Sequence, residues 1–297
     1  MTVLDIYDSI ASDAMLIHYD LQSLRETISA WKKAGDRIAF VPTMGNLHDG
    51  HLSLLEKAKE LADRTVVSVF VNPIQFSHGE DYERYPSTLD EDADKLRARG
   101  LDLLFAPDLA ELYPGGMDKD TRVTVPTLSS ILCGRFRPGH FSGVATVVTK
   151  LLINVRPDAA LFGEKDYQQL LVIRRLVRDL CLPVEIIGMP IVREDDGLAM
   201  SSRNAYLNPE ERSRAGIIYR TLKAAADELR ADAFTVAEIE ARGMQALSEA
   251  GLEPEYFSIR RSADLEEPEQ GDRELTILTA AWLGPARLID NIHVVCE

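Results

Sequence analysis

Between residue 21 and about residue 190 the hydrophobic period switches repeatedly between helix and strand, and that alternation restricts the fold more than any other feature of the chain. Leu21, Leu24, Ile28 and Trp31 keep a helical spacing that stops at Gly35. The apolar run 38–41 then reads as a buried strand, ended by Pro42. A second helix opens near His51 and carries Leu54, Leu55, Ala58, Leu61 and Ala62 on one face. The β-branched run 65–71 is another strand, halted by Asn72-Pro73. The succession continues with a helix over 89–99, a strand over 101–105, a helix over 144–155, a strand over 159–162, a helix over 167–180 and a strand over 184–187. Strands that alternate with helices pair in parallel through right-handed crossovers. Residues 1–190 are therefore expected to form an α/β domain with a doubly wound, Rossmann-like parallel sheet, residues 1–14 being a loose extension and Met15 an alternative start.

Beyond Pro190 the order changes. Asn208-Pro209 reads as an N-cap followed by proline at the first helical position, opening one long helix to about Arg230. Thr235 caps another helix that ends at Gly251, and strand-like runs follow over 256–260, 275–281 and 286–295. Helices first and strands afterwards predict a second, smaller α+β domain over 191–297. Gly115-Gly116 and 134–143 are expected loops.

With 48 acidic against 33 basic residues the net charge is −15, and no Lys/Arg run is sustained, which argues against a nucleic-acid partner. No apolar stretch approaches the ~18 residues of a membrane span, and the N-terminus lacks the basic start of a signal peptide. Cys133, Cys181 and Cys296 are scattered and odd in number, which points to a reducing cytoplasm rather than a disulfide or metal framework. Cys181 and Cys296 are expected to be buried.

Four stretches carry chemistry. Met44, Gly45, Asn46, Leu47, His48, Asp49, Gly50 and His51 lie between the first strand of the alternation and the helix after it. A helix N-terminus there offers unpaired N–H groups and about half a positive charge, and two histidines three apart add donors for phosphate oxygens. The glycines match neither a dinucleotide fingerprint nor a P-loop. An isolated His-x-x-His is more often a helix cap; the strand–turn–helix context is what favours phosphate. Gly163-Glu164-Lys165-Asp166 repeats that context, with Lys165 a candidate for phosphate, Asp166 for ribose hydroxyls, and Gln169 one turn into the next helix; a charged, capped loop fits this stretch equally well. Met200-Ser201-Ser202-Arg203 could wrap a triphosphate, Arg203 offering a planar fork. Alone it is an ordinary loop; after the domain break it suits a lid. Finally, Gln75 follows a strand end among aromatics, a setting for a small hydroxylated substrate or for a plain core loop.

Together these stretches resemble the pantoate–β-alanine ligase, or pantothenate synthetase, family of the nucleotidyltransferase superfamily with an HxGH-type motif. The resemblance runs from about Met15 to the C-terminus. It rests on Pro-Thr-Met-Gly-Asn-Leu-His-Asp-Gly-His at 42–51, Phe-Val-Asn-Pro-Ile-Gln-Phe at 70–76, Arg-Pro-Gly-His-Phe at 137–141, Gly-Glu-Lys-Asp-Tyr-Gln-Gln at 163–169 and Met-Ser-Ser-Arg-Asn at 200–204. It implies that pantoate's carboxylate attacks the α-phosphate of ATP, and that the amine of β-alanine then displaces AMP from pantoyl adenylate. It also implies magnesium with the ATP, and a homodimer. By position, 44–51, 163–166 and 200–203 would bind ATP, with His51 the proton donor, His48 assisting, Lys165 and Arg203 adding charge and Val192 near adenine. Gln75 and Gln169 would hold pantoate, Gln75 would also touch β-alanine, and Asp92 would answer to an acidic position linked to the magnesium-bound phosphates. Ser87 departs from the family, where arginine is common. The competing enzyme class is a nucleotidyltransferase of coenzyme biosynthesis that leaves the nucleotide on its product; it accounts for 42–51 but not for Gln75, Gln169 and 200–204 together.

Overall fold

A computed structural model describes residues 15–76, 79–86 and 88–296; the expected extension 1–14 and the departure at Ser87 lie outside the described residues. The chain divides into two compact units, one of 1–125, 139–162 and 173–189, the other of 126–138, 163–172 and 190–297. Residues 126–138 and 163–172 group with the part after residue 190.

The first unit carries the strands β1 (Leu16–His18), β2 (Ile38–Thr43), β3 (Arg64–Val69), β4 (Leu103–Phe105), β5 (Ala159–Gly163) and β6 (Glu185–Met189), in the sheet order β1-β4-β3-β2-β5-β6. The registered pairs of β1 with β4, β4 with β3, β3 with β2 and β2 with β5 are all parallel, as the alternation predicts. Helix α1 (Leu21–Ala34) starts at Asp20, whose carboxylate accepts from Ser23 N–H, and ends at Gly35 with φ +92, a left-handed turn that glycine makes without strain. Helices α2 (Asp49–Leu61) and α3 (Leu89–Ala98) place Leu52, Leu54, Leu55, Ala58, Ala93 and Leu96 against Ala39, Val41, Val67, Leu104 and Leu161 of the sheet. Each fully buried leucine of this kind contributes roughly 2–3 kcal/mol. Helix α4 (His140–Val155) packs against α1, β2 and the turn Pro73–Gln75.

Two expectations change here. The segment 134–143 is not all loop, since α4 begins at His140, capped by Gly139 at φ +85, four residues before the predicted start at 144. Pro42 does not end its strand, which runs to Thr43. Phe70 N–H donates to Thr43 O, so Thr43 faces β3 and Pro42, one residue earlier, turns its missing N–H towards β5. The β2–β5 register stops at Phe40, so no ladder bond is lost.

The second unit holds α6 (Pro209–Ala215), α7 (Ile217–Arg230) and α8 (Val236–Glu249), preceded by α5 (Tyr167–Asp179), within which the two units divide. Its sheet is antiparallel, β7 (Glu253–Arg261), β8 (Glu274–Leu283) and β9 (Ala286–Val295) in the order β7-β8-β9. Leu222, Ala226, Ile239 and Leu247 of the helices meet Phe257, Ile259, Ile277 and Leu288 of the strands in one buried cluster. The predicted helix 209–230 is two helices, broken at Gly216, where a Cβ would lie 2.9 Å from the carbonyl oxygen of Asp196. Among the described residues no helix is long and apolar enough to cross a membrane. Cys133 is buried, but Cys181 is exposed, in a left-handed turn past α5 at φ +53, and Cys296 is only half-buried beyond β9.

Candidate active site

The sheet changes direction at β2: β3 lies on one side of it and β5 on the other. Open α/β sheets bind ligands beyond the carboxyl ends of the strands at such a point. From the end of β2 the chain makes a tight turn. Thr43 Oγ1 donates to Ser68 O and accepts from Gly45 N–H at 3.2 Å. Gly45 has φ +83, and a Cβ there would stand 3.1 Å from Asp92 Oδ2 and 3.0 Å from Val69 Cγ1. Asn46 is left-handed too, at φ +51, a conformation that asparagine tolerates. Asp92, with no exposed surface, accepts from Asn46 N–H at 2.7 Å, Leu47 N–H at 2.8 Å and Thr88 Oγ1 at 3.0 Å. The Lys95 ammonium lies 3.8 Å from the same carboxylate and donates to Leu47 O.

Asp92, expected at an acidic position linked to the magnesium-bound phosphates, here faces the Asn46–Leu47 turn. Its two oxygens are committed to the turn, and it holds the turn's shape. No group of three or more His, Cys, Asp or Glu able to hold a metal occurs among the described residues.

The turn delivers His48 to the N-cap of α2. His48 Nδ1 accepts from Gly50 N–H at 3.2 Å, and His48 N–H donates to His51 Nδ1 at 3.3 Å. The two rings lie 4.1 Å apart between centroids. In both rings Nδ1 is an acceptor, so in the neutral form Nε2 carries the proton. The cap and the phosphate readings of His-x-x-His are therefore the same arrangement: by capping, each ring is locked in the tautomer that makes Nε2–H a donor.

Gln75 sits in the single turn Pro73–Gln75, 8% exposed. Its Nε2 donates to Met44 Sδ, and its Oε1 accepts from Asn72 Nδ2 at 3.1 Å. Asn72 in turn donates to Gly143 O and accepts from Tyr113 OH at 2.8 Å. Burial pushes the Tyr113 phenol far up and Asp120 adds to the effect, so the hydroxyl stays a donor. His140 Nδ1 lies 2.7 Å from Gln75 O; a carbonyl can only accept, so His140 holds its proton on Nδ1, the opposite tautomer to His48 and His51. Gly143 lets α4 approach the turn, since a Cβ there would stand 2.5 Å from Ile74 O. Asn72 and His140 lie inside the motifs at 70–76 and 137–141 without having drawn a role; Tyr113 gave no sequence signal, and Gly143 read only as the end of a loop.

In the second unit Glu164–Asp166 form one 3-10 turn, with Lys165 half-buried and Asp166 exposed. Gln169 is half-buried on α5, while its neighbour Gln168 is buried and structural. Gln168 donates to Leu128 O and Ile131 O and accepts from Cys133 N–H. Val192 O accepts from Met200 N–H at 3.0 Å, and Ser201 Oγ accepts from Arg203 N–H in the turn Ser202–Tyr206. Thus Met44 meets Gln75, His48 meets His51 and the Asn46–Leu47 turn meets Asp92 in one unit, while Val192 meets Met200 in the other.

A parallel sheet with a histidine-capped helix N-terminus at its switch point defines an α/β protein with a site suited to a phosphate-bearing ligand. The chain belongs to the pantoate–β-alanine ligase family, which it matches over residues 16–293. Pantothenate synthetase of Marinobacter nauticus is 54% identical over 93% of this chain and 98% of its own length. That of Methylococcus capsulatus is 56% identical over 91% and 95%. Among solved structures, pantothenate synthetase from Thermus thermophilus superposes with a TM-score of 0.87 at 45% identity, covering 94% of this chain and 99% of that one. Pantoate-beta-alanine ligase from Francisella tularensis, complexed with beta-gamma ATP and beta-alanine, gives 0.79 at 35%, covering 94% and 97%. These relatives support the ligase and not the nucleotidyltransferase alternative.

Proposed function

We propose that the enzyme condenses pantoate with β-alanine at the expense of ATP, through pantoyl adenylate, and that the residues above divide the work as follows. The pantoate carboxylate, ionised at neutral pH, attacks the α-phosphorus of ATP; the bond to pyrophosphate breaks and pantoyl adenylate forms. The amine of β-alanine then attacks the acyl carbon, AMP leaves, and the nitrogen loses its proton. Carboxylate and triphosphate repel each other, so step one depends on positioned positive charge. His48 and His51 supply Nε2–H donors at the positive end of α2, with His51 the proton donor. Lys165 and Arg203 add charge, Met44 to His51, Gly163 to Asp166, Val192 and Met200 to Arg203 bind ATP, and Gln75 and Gln169 hold pantoate, Gln75 also meeting β-alanine.

ATP enters as its magnesium complex, with the metal carried on the phosphates, as is usual for magnesium. The homodimer is carried by the family resemblance, and sedimentation tests it. The exposed Cys181 fits a reducing cytoplasm.

The observation that supports this reading best is the reciprocal cap, in which both histidines accept through Nδ1. Exchange of labelled pyrophosphate into ATP tests it. Exchange should require pantoate, and added β-alanine should yield AMP and pantothenate. Exchange independent of pantoate, or a nucleotide that stays on the product, would overturn it. His51→Ala should lower adenylation by about 100-fold or more, the usual effect of losing one oxyanion donor, with the fold intact.

A further inference from the structure

Strand β9 carries a buried pair that the proposed roles leave unused. Asn291 is 2% exposed, and its Nδ2 spends both hydrogens on backbone carbonyls, Glu164 O at 2.8 Å and Lys165 O at 3.1 Å. Its own Oδ1 is buried and has no hydrogen-bond partner. A buried acceptor left unpaired is unfavourable; an apolar side chain would remove that penalty but leave the two carbonyls without these donors, so stability alone does not select the amide. The two donors are what the position retains. The neighbour Asp290, 3% exposed, accepts from Asn291 N–H at 2.8 Å and from Nη1 and Nη2 of Arg193, at 2.7 and 2.9 Å. Arg193 also donates to Asn291 O and Gly197 O and lies 3.7 Å over the Tyr219 ring. Arg193 bridges Ala199 in an antiparallel pair, one residue before Met200. Burial raises the Asp290 carboxyl, while Arg193 and, less strongly, Lys165 pull it down.

One continuous chain of hydrogen bonds thus runs from the Lys165 turn through Asn291 and Asp290 to Arg193 and the segment that leads into Met200–Arg203. We infer that Asn291 is a positioning residue for ATP: it fixes the backbone of the Lys165 turn and, with Asp290 and Arg193, sets that turn against the 192–203 segment. The inference rests on the proposed ATP roles of Lys165 and of 200–203. It acts on adenylation, where a displacement of an ångström costs rate, and not on the attack by β-alanine.

The test uses the full-length enzyme with Asn291→Leu, which removes the two donors together with the orphaned acceptor, and Asn291→Asp, which keeps the size and turns an acceptor on the two carbonyls. Pantoate-dependent ATP–pyrophosphate exchange, the KM of each substrate and thermal unfolding are measured beside wild type. If wild type shows no such exchange, the ligase reading fails on its own. The expected result for Asn291→Leu is a melting temperature near that of wild type, with exchange lowered about tenfold and the ATP KM raised several-fold. The β-alanine KM should stay within about twofold, and Asn291→Asp should lose more exchange than the leucine variant. Folded variants that exchange at the wild-type rate, or that raise the KM of all three substrates alike, would overturn the inference. So would failure of both variants to fold, which would make Asn291 a residue of the fold.

Discussion

In the turn after β2 the backbone gives, with Asn46 and Leu47 donating their N–H groups to Asp92; in the turn after β5 it receives, with Glu164 and Lys165 accepting from Asn291. One clamp is a buried carboxylate, the other a buried neutral amide. The difference follows from what each turn must present. Beyond the first turn stands the positive end of a helix, able to bear a carboxylate behind it, and Lys95 offsets part of the carboxylate's charge at 3.8 Å. The second turn presents Lys165. An ionised carboxylate could not clamp it, having no proton to give two carbonyls, whereas the neutral amide donates both bonds and adds no charge of its own beside Lys165. The amide also draws two carbonyl oxygens, which an anion would avoid, onto β9.

The largest effect should come from Asp92→Asn. Hydrogen bonds to a charged group are worth about 1.5–3 kcal/mol each, so the variant should lose about 3 kcal/mol of stability and most of its exchange activity. Chemical denaturation and the exchange assay check this. If the asparagine variant were as stable as wild type, the contrast between a charged and a neutral clamp would collapse.

A third device holds its turn by space instead of by a hydrogen bond. Gly143 must lack a Cβ because one would stand 2.7 Å from both Gln75 N and Gln75 Cα. Gly143→Ala should push the Gln75 turn aside at a cost of about 1–3 kcal/mol, typical of overpacking. The pantoate KM should rise about tenfold while the ATP KM stays within about twofold, since about 1.4 kcal/mol is a factor of ten. Steady-state kinetics in both substrates decides it, and equal rises in the two would detach Gly143 from pantoate.

The sequence revealed local features and hid those that depend on distant partners. The strands from β2 onward, the capped helix at 48–51 and the polar turns at 163–166 and 200–203 were legible because period, proline and glycine placement and capping are local signals. The edge strand β1 was missed because Leu16–His18 is too short to show a period. Helix α4 was begun late because Arg-Pro-Gly at 137–139 reads as a loop, and the helix is capped only by the left-handed Gly139. Asn291 was invisible, since its partners lie 126 and 127 residues away and nothing around it marks a turn or a site. Asp92 entered only through the family resemblance, because a sequence shows a carboxylate but not which donors it faces; Asn46 and Leu47 N–H are among them.

The smallest effect tests whether the strength of a carboxylate clamp depends on burial. At the opposite end of β2, Asp158 accepts Ile38 N–H at 2.7 Å and Lys32 Nζ at 2.6 Å, the same chemistry as Asp92, but with 36% of its side chain exposed. Partial burial pushes the Asp158 carboxyl up, yet the hydrogen bonds from Lys32 and Ile38 outweigh it and hold the group below its ordinary value of 3.8. A lowered pKa in the folded state means that the stabilisation is fully present above that ordinary value and is lost as pH falls through the folded one. Thermal unfolding of wild type and Asp158→Asn should therefore differ by a small, constant amount between about pH 7 and pH 5. Below about pH 4 the two curves should converge, because the wild-type carboxyl then becomes protonated and the asparagine has nothing further to lose. A gap that persisted unchanged at still lower pH would mean that Asp158 acts through its shape and not its charge, and the parallel with Asp92 would end there.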